Sequence, residues 1–372
     1  MGGGRRGVRP GGGGWPGGEP GPGSVVVAVA VAVAGGDGPP RPASPETAAS
    51  RGRGTRGRVT EGVRGGAVRA RAPFLLVARL TGAGARLGRE GVRRARTPWR
   101  RAHDASERSP AMLNSAHYAD GEPVWLELST PDLDRAEEFY GGLFGWSLRR
   151  MGPDKGNYGL FTLHDKTVAA VMPQPADKVP PAWTIYFKTP DAAATARSVE
   201  QHGGTVTTPA TDVMDLGRLA ACTDPQGAAF AVWEPGANKG LGLVTDTNAF
   251  FWAELESPEP PAAVTFYGQV FGWETTTMHM EGGDYLMPHA SGGTPEDMFA
   301  GVAPLDAATS GRGPYWLPYF NVADCDATAA KALAGGASAE VEPLDIPDVG
   351  RMARFTDPHG AVFAVMTPNP RG

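Results

Sequence analysis

An eight-residue phrase occurs twice in this chain: residues 139 to 146 read Phe-Tyr-Gly-Gly-Leu-Phe-Gly-Trp and residues 266 to 273 read Phe-Tyr-Gly-Gln-Val-Phe-Gly-Trp, identical at six of eight positions. The flanks repeat as well. Trp125-Leu126-Glu127-Leu128 precedes the first phrase at the distance at which Trp252-Ala253-Glu254-Leu255 precedes the second. Each unit closes on a second shared phrase, Thr223-Asp224-Pro225-Gln226-Gly227 and Thr356-Asp357-Pro358-His359-Gly360. Self-similarity at so long a period means duplication of a whole domain rather than a short solenoid repeat. The boundaries this implies are a first domain over 121–235, a linker over 236–247 and a second domain over 248–368.

The 372 residues carry a formal charge of −5 that hides two unlike polymers. Residues 1–111 hold 20 Arg, no Lys and 7 acidic residues, a formal +13; the 15 basic and 33 acidic residues that remain give 112–372 a formal −18. An acidic folded portion disfavours nucleic acid and anionic membrane as partners, since both require basic surface. The first 111 residues are Gly-, Pro-, Arg- and Ala-rich without apolar periodicity, the composition of a disordered segment. The apolar run Val25 to Ala34 spans ten residues, half of the roughly 20 needed to cross a bilayer. It has the length of a signal-peptide core, with Arg5, Arg6 and Arg9 upstream, but the acidic domains follow only after a further long Arg-rich stretch. GC-rich codons read in frame would give this composition, so Met112 is the expected start of the native product. Cys222 and Cys325 lie at non-equivalent places in the two copies, which is no disulfide framework and points to a reducing, cytoplasmic setting.

Within the first copy, Val124 to Ser129 alternates as a half-buried strand does, with Val124, Leu126 and Leu128 on one face and Trp125, Glu127 and Ser129 on the other. Ser129-Thr130-Pro131-Asp132 reads as a helix start with a hydroxyl cap, and Gly141-Gly142 as its end. Strands follow over Trp146–Met151, Tyr158–Leu163 and Thr167–Met172. The order then repeats: a strand over Trp183–Lys188, a helix capped by Asp191 and stopped by Gly203-Gly204, and three more strands. Each copy is therefore two β-α-β-β-β modules in tandem, an α+β fold. The second copy has the same elements, with Pro258, Pro260 and Pro261 confined to the opening turn of its first helix. Most of its extra length falls in a hairpin tip over His289–Asp297.

Tandem β-α-β-β-β modules, a strand leading into "TPD…FY…FGW" and a closing "GR…TDPxG…FAV" hairpin resemble the vicinal oxygen chelate superfamily, also called glyoxalase/bleomycin resistance/dioxygenase, over essentially all of 121–368. The resemblance implies two glyoxalase-like domains forming an intramolecular pseudo-dimer, each a curved sheet around a cleft. In metal-dependent members the cleft holds a divalent ion on His, Gln or Glu from the first strand of each module and from later strands. Carried over residue by residue, the first-strand position falls on Trp125 and Trp252, and the last-strand glutamate on Ala231 and Ala364. Neither an indole nor a methyl group coordinates such a cation. The expectation is no metal and no cofactor. His117, His164, His202, His279, His289 and His359 read as tail, turn, strand or surface residues rather than ligands.

On the cleft face the alternation leaves Trp125 with Glu127 and Trp252 with Glu254, and the aligned strands add Tyr186 and Tyr319. An aromatic wall with one carboxylate suits a small organic ligand, including a cationic one. The structural alternative is that the tryptophans fill a vacated metal site and an arginine such as Arg218 or Arg351 pairs with each glutamate. The functional expectation is a small-molecule binding protein with a metal-free cleft. The other reading is an enzyme of the superfamily, a lyase, isomerase, hydroxylase or dioxygenase, using a carboxylate base or an atypical divalent-metal site; catalytic residues are not assigned. The aromatic residues of the Phe-Gly-Trp phrase read as packing between helix and sheet.

Overall fold

A computed structural model describes residues 113–174, 180–280, 283–294, 297–305 and 310–369. The stretch read as disordered and the expected start at Met112 lie outside the described residues. The first domain runs β1 (Pro123–Thr130), α1 (Leu133–Phe144), β2 (Ser147–Arg150), β3 (Gly159–Leu163), β4 (Lys166–Pro173), β5 (Ala182–Lys188), α2 (Ala192–Gln201), β6 (Thr205–Val213), β7 (Gly217–Thr223) and β8 (Ala229–Pro235). The second repeats it as β9 (Phe250–Ser257), α3 (Pro260–Phe271), β10 (Glu274–Met280), β11 (Gly283–His289), β12 (Ala300–Pro304), β13 (Tyr315–Asn321), α4 (Cys325–Ala334), β14 (Ser338–Ile346), β15 (Gly350–Thr356) and β16 (Val362–Pro368).

Each domain forms one eight-stranded sheet, in the order β2-β3-β4-β1-β5-β8-β7-β6 and β10-β11-β12-β9-β13-β16-β15-β14. The opening strands of the two modules, β1 and β5, pair antiparallel at the centre, and each pairs parallel on its other side with the last strand of its own module. That symmetry follows from the module itself, because a helical crossover is what allows the first and fourth strands to lie parallel.

Local chemistry sets the helix ends. Asp132, not a hydroxyl of Ser129 or Thr130, caps α1 by accepting the Arg135 N–H, and Asp191 caps α2 in the same way through Ala194. The α1 helix also continues through Gly141-Gly142. It stops at Gly145, whose left-handed φ of 74° lets its N–H bond the Gly141 carbonyl; Gly272 does the same in α3 at φ 72°. This is why the phrase reads Phe-Gly-Trp: the glycine reverses the chain and the tryptophan turns back beneath the helix.

The half-buried expectation for β1 needs correction, since all eight of its residues are buried. One face of each sheet packs against helices and the other domain, and the other face is covered by its own side chains. The main apolar core is continuous across both domains. Phe144 of α1 lies 5.0 Å from Phe320 of β13, and Phe187 of β5 lies 5.3 Å from Trp273, ring centre to ring centre.

The two repeated phrases meet across this core. The Tyr140 hydroxyl accepts the Trp183 indole N–H at 3.1 Å and donates to Asp357 of the second domain at 3.0 Å. Reciprocally, Tyr267 accepts from Trp316 at 2.9 Å and donates to Asp224 of the first domain at 3.2 Å. The other oxygen of each aspartate takes three backbone N–H groups of its own turn, from Gln226, Gly227 and Ala228 or from His359, Gly360 and Ala361. Trp146 and Trp273 donate across the same boundary, to the carbonyls of Asn248 and Gly121. Burial pushes the Asp224 carboxyl up, against the hydrogen bonds that pull it down.

Tyr140→Phe leaves the Trp183 N–H and one Asp357 oxygen without their partner inside the core, and Tyr267→Phe does so for Trp316 and Asp224. Each is expected to cost about 1–3 kcal/mol in urea unfolding while the two domains still unfold in a single transition. A separate early transition for one domain would contradict the shared core.

Candidate functional site

The strand register brings the cleft-face residues together. Trp125 pairs with Tyr186, Tyr186 with Ala231 and Ala231 with Ala221, a row across four strands on the face turned away from the helices. The second domain builds the equivalent row from Trp252, Tyr319, Ala364 and Arg354. One step along, Glu127 lies beside Ala170 and Thr184, and Glu254 beside Gly301 and Leu317. Two residues further, Ser129 faces Ala182 and Glu256 faces Tyr315.

Glu127 is 5% exposed and held by two phenols. Tyr158 donates to its Oε2 at 2.6 Å and Tyr186 to its Oε1 at 2.9 Å. Trp125 in turn hydrogen-bonds Tyr158. Burial pushes the Glu127 carboxyl up, and the two hydroxyls pull it partly back. Burial first, and then the neighbouring Glu127 charge, hold both tyrosines well above the ordinary phenol range.

Glu254 has the same clamp, with Tyr285 donating to Oε2 and Tyr319 to Oε1, both at 2.7 Å, and Trp252 donating to Tyr285 at 3.1 Å. The Tyr285 ring packs directly over Gly301, where a Cβ would lie 1.8 Å from its hydroxyl; Ala170 stands at that position in the first domain. What differs is the next layer. Arg354, 7% exposed, donates through Nη2 to Glu256 and through Nη1 to Tyr315 at 3.1 Å, and its Nη2 lies 3.7 Å from Glu254. Burial alone would weaken its charge, but Tyr319, Glu256, Tyr315 and Glu254 together hold the guanidinium protonated. Leu317, Tyr319, Met352, Val362, Ala364 and Met366 pack beside it as a second apolar cluster. In the first domain Arg354, Glu256 and Tyr315 correspond to Ala221, Ser129 and Ala182. Among the described residues the Ser129 hydroxyl is buried there without a hydrogen-bond partner.

The predicted residues Trp125, Glu127 and Tyr186, and Trp252, Glu254 and Tyr319, thus lie side by side, but hydrogen-bonded to one another rather than as an open wall; only Trp252 is partly exposed. The arginine alternative also changes. Arg218 pairs with Asp212 at 2.7 Å and Arg351 with Asp326 at 2.7 Å, so neither reaches the clamped glutamates. Sequence reasoning missed the other two donors, Tyr158 and Tyr285, although each follows its glutamate by the same 31 residues. It also missed Arg354, visible only as the difference between GRLAACT and GRMARFT.

The donor set does not fit a resident metal ion. Among the described residues no group of three or more His, Cys, Asp or Glu could hold one, and the family's ligand positions carry indole and methyl groups. His289, expected at a surface hairpin end, is buried at the end of β11, where its ring Nδ1 lies 3.2 Å from the Ala290 carbonyl. His279 is exposed and lies 2.6 Å from Asp284. Cys222 and Cys325 are both buried and unpaired. No helix among the described residues is long and apolar enough to cross a membrane.

The family model described as the Glyoxalase/Bleomycin resistance protein/Dioxygenase superfamily matches residues 122–232 and again 250–365. The chain is 37% identical over 265 residues to "Putative glyoxylase CFP32" of Mycobacterium tuberculosis (strain CDC 1551 / Oshkosh), an alignment spanning 70% of this chain and 100% of that protein. It is 38% identical over 264 residues to anthracycline biosynthesis protein DnrV of Streptomyces peucetius, over 67% of this chain and 94% of that one. Among solved structures, the 2,2',3-trihydroxybiphenyl 1,2-dioxygenase of Sphingomonas wittichii strain RW1 superposes with a TM-score of 0.50 at 13% identity, over 67% of this chain and 91% of that one, a likeness of fold alone.

The raised Glu127 carboxyl fixes the sign of a pH effect. A folded-state value above the unfolded one contributes stability that is fully present at acid pH and is lost as pH rises from the ordinary glutamate range through the raised value. Glu127→Gln, which stays neutral, lacks this pH dependence, so any stability advantage of the native chain over it is expected to shrink as pH rises through that window. Urea unfolding of both proteins across that window checks it; a gap that widens with pH would reverse the assignment.

Proposed function

We propose, from the premise that this chain belongs to the glyoxalase/bleomycin resistance protein/dioxygenase superfamily, that its first domain binds a small organic molecule in a metal-free cleft around Trp125, Glu127 and Tyr186. The observation that carries this reading is Ser129, a buried hydroxyl without a hydrogen-bond partner among the described residues. A polar group left so costs about 1–3 kcal/mol, which a ligand group or a water can offset. Near Ser129, Ala182 and Ala221 stand where the second domain has Tyr315 and Arg354, while Met172 beside it is larger than its counterpart Ala303. In the second domain Glu254, Glu256 and Tyr315 instead hold Arg354, whose side chain takes up that part of the cleft. The names of the two relatives, one a glyoxylase and one a protein of anthracycline biosynthesis, both attach to small organic compounds and support a ligand of that kind.

Ser129→Glu combined with Ala221→Arg would reproduce the second domain's filling in the first. Ligand-observed NMR with a set of small aromatic compounds is expected to find binders of the native chain that this double variant no longer binds. Binders unaffected by the filling would defeat the assignment, and a stoichiometric, tightly held divalent ion found by metal analysis would defeat its metal independence.

One observation favours catalysis as a second reading. Burial raises the Glu127 carboxyl toward the range of a general base. If that reading holds, Glu127→Gln lowers any turnover that is detected by about 10²-fold or more, and an unchanged rate rejects it.

A further inference from the structure

We infer that the ligand of the first domain carries a cationic nitrogen group, an amidinium, guanidinium or ammonium, seated where the second domain places the side chain of its own Arg354. The inference rests on the reading of the first cleft as a binding site, and it names the chemistry that site selects.

The two domains share a frame and differ in whether a cation lies beside the glutamate: the second adds Arg354 together with Glu256, and the first has Ala221 and Ser129 at those positions. In each, a buried glutamate accepts one tyrosine hydroxyl on each carboxylate oxygen, with a tryptophan behind one of them. Two hydroxyl donors do not exhaust a carboxylate, which offers about four lone-pair sites. In the second domain the remaining demand is met inside the protein, by a guanidinium 3.7 Å from Glu254 that also bonds Glu256 and Tyr315. In the first domain Ala221 stands at the arginine's position, and among the described residues the partners that favour a charged Glu127 are the Tyr158 and Tyr186 hydroxyls. A buried carboxylate without a counter-ion is costly, and a ligand that brings the counter-ion relieves that cost.

The missing atoms outline the ligand. Replacing Arg354 by Ala221 removes a three-carbon stem and a planar guanidinium, and replacing Tyr315 by Ala182 removes a phenol ring that lies one hydrogen bond away from it. Replacing Glu256 by Ser129 removes the arginine's other partner and leaves a hydroxyl able to accept an N–H in its stead. A planar cation on an aromatic ring fits this outline. The Glu127 oxygens and Ser129 Oγ would take its N–H groups, and the rings of Trp125, Tyr158 and Tyr186 would flank it.

Benzamidine, benzamide and benzoate share one shape and differ in charge, so they separate this inference from the binding reading. With the full chain, isothermal titration and thermal unfolding are expected to show saturable benzamidine binding at one site. Benzamide should bind about tenfold or more weakly, and benzoate not at all. Glu127→Gln should remove the preference for benzamidine over benzamide, and Ser129→Glu with Ala221→Arg should abolish benzamidine binding. If Glu127→Gln does not fold, Arg354→Ala gives an independent test: it opens the second cleft beside Glu254 and Glu256 and should raise the benzamidine stoichiometry from one to two. Benzamide or benzoate binding as tightly as benzamidine, at a site the filled variant blocks, would overturn the cation inference and leave the binding reading standing. So would a failure of all three compounds while the aromatic set still yields binders that the filling blocks. Benzamidine binding that survives the filling overturns the inference, and no binder of any charge overturns both readings.

Discussion

The structure depends on a crossed hydrogen-bond relay. Each domain's tryptophan donates to its own tyrosine, and that tyrosine donates to the other domain's aspartate. Because each aspartate also gathers three backbone N–H groups of its turn, the turn cannot move without unmaking a buried charge site. The relay explains why two phrases far apart in the chain are both repeated. Each is one half of a contact whose other half lies in the other copy, so duplication had to carry both. Stacked aromatic rings fill the space around the relay and join the two domains into one apolar core.

Pairing the domains through helices and sheet backs turns the remaining faces outward. Each candidate cleft is then built from the strands of a single eight-stranded sheet, both modules contributing, and neither is a composite of the two domains. The hydrogen-bond partners of Glu127 among the described residues come from its own domain, Tyr186 of β5 and Tyr158 just ahead of β3. The two clefts are free to diverge, and comparing them within one chain separates what the frame requires from what it does not. The Trp-Glu-Tyr-Tyr clamp is present in both; Arg354, Glu256 and Tyr315 are present in one.

Much of this was legible in the sequence, for physical reasons that can be named. Alternation along β1 put Trp125 and Glu127 on one face, and the equal spacing of the module-opening strands put Tyr186 beside them. The helix boundaries were less legible. Gly141-Gly142 looked like a stop, but glycine ends a helix only where the backbone turns left-handed, and that happens at Gly145. Arg354 was hidden for another reason. It reaches Glu256 and Glu254 across the intervening strands β16 and β13, a neighbourhood created by sheet order rather than by spacing along the chain. Arg218 and Arg351 looked equally eligible from sequence, yet strand parity turns them to the opposite face from Ala221 and Arg354 only to the extent that register is known. His289 shows the same limit: a hairpin end is a surface position only if no neighbouring segment covers it, and here it is buried.

In the second domain two phenols position the glutamate, and a buried arginine shared with a second glutamate lies beside it. The first domain retains the phenols and has neither the arginine nor the second glutamate, and burial raises the Glu127 carboxyl against the pull of its two hydroxyl donors. Apolar residues of similar volume in place of Glu127 and its two phenols together would cost the fold little, since replacing a buried ionic group along with its partners is often neutral. A carboxylate kept at that position, with its hydrogen-bonding tyrosines and without its internal counter-ion, is better accounted for by recognition of a cation from outside than by stability.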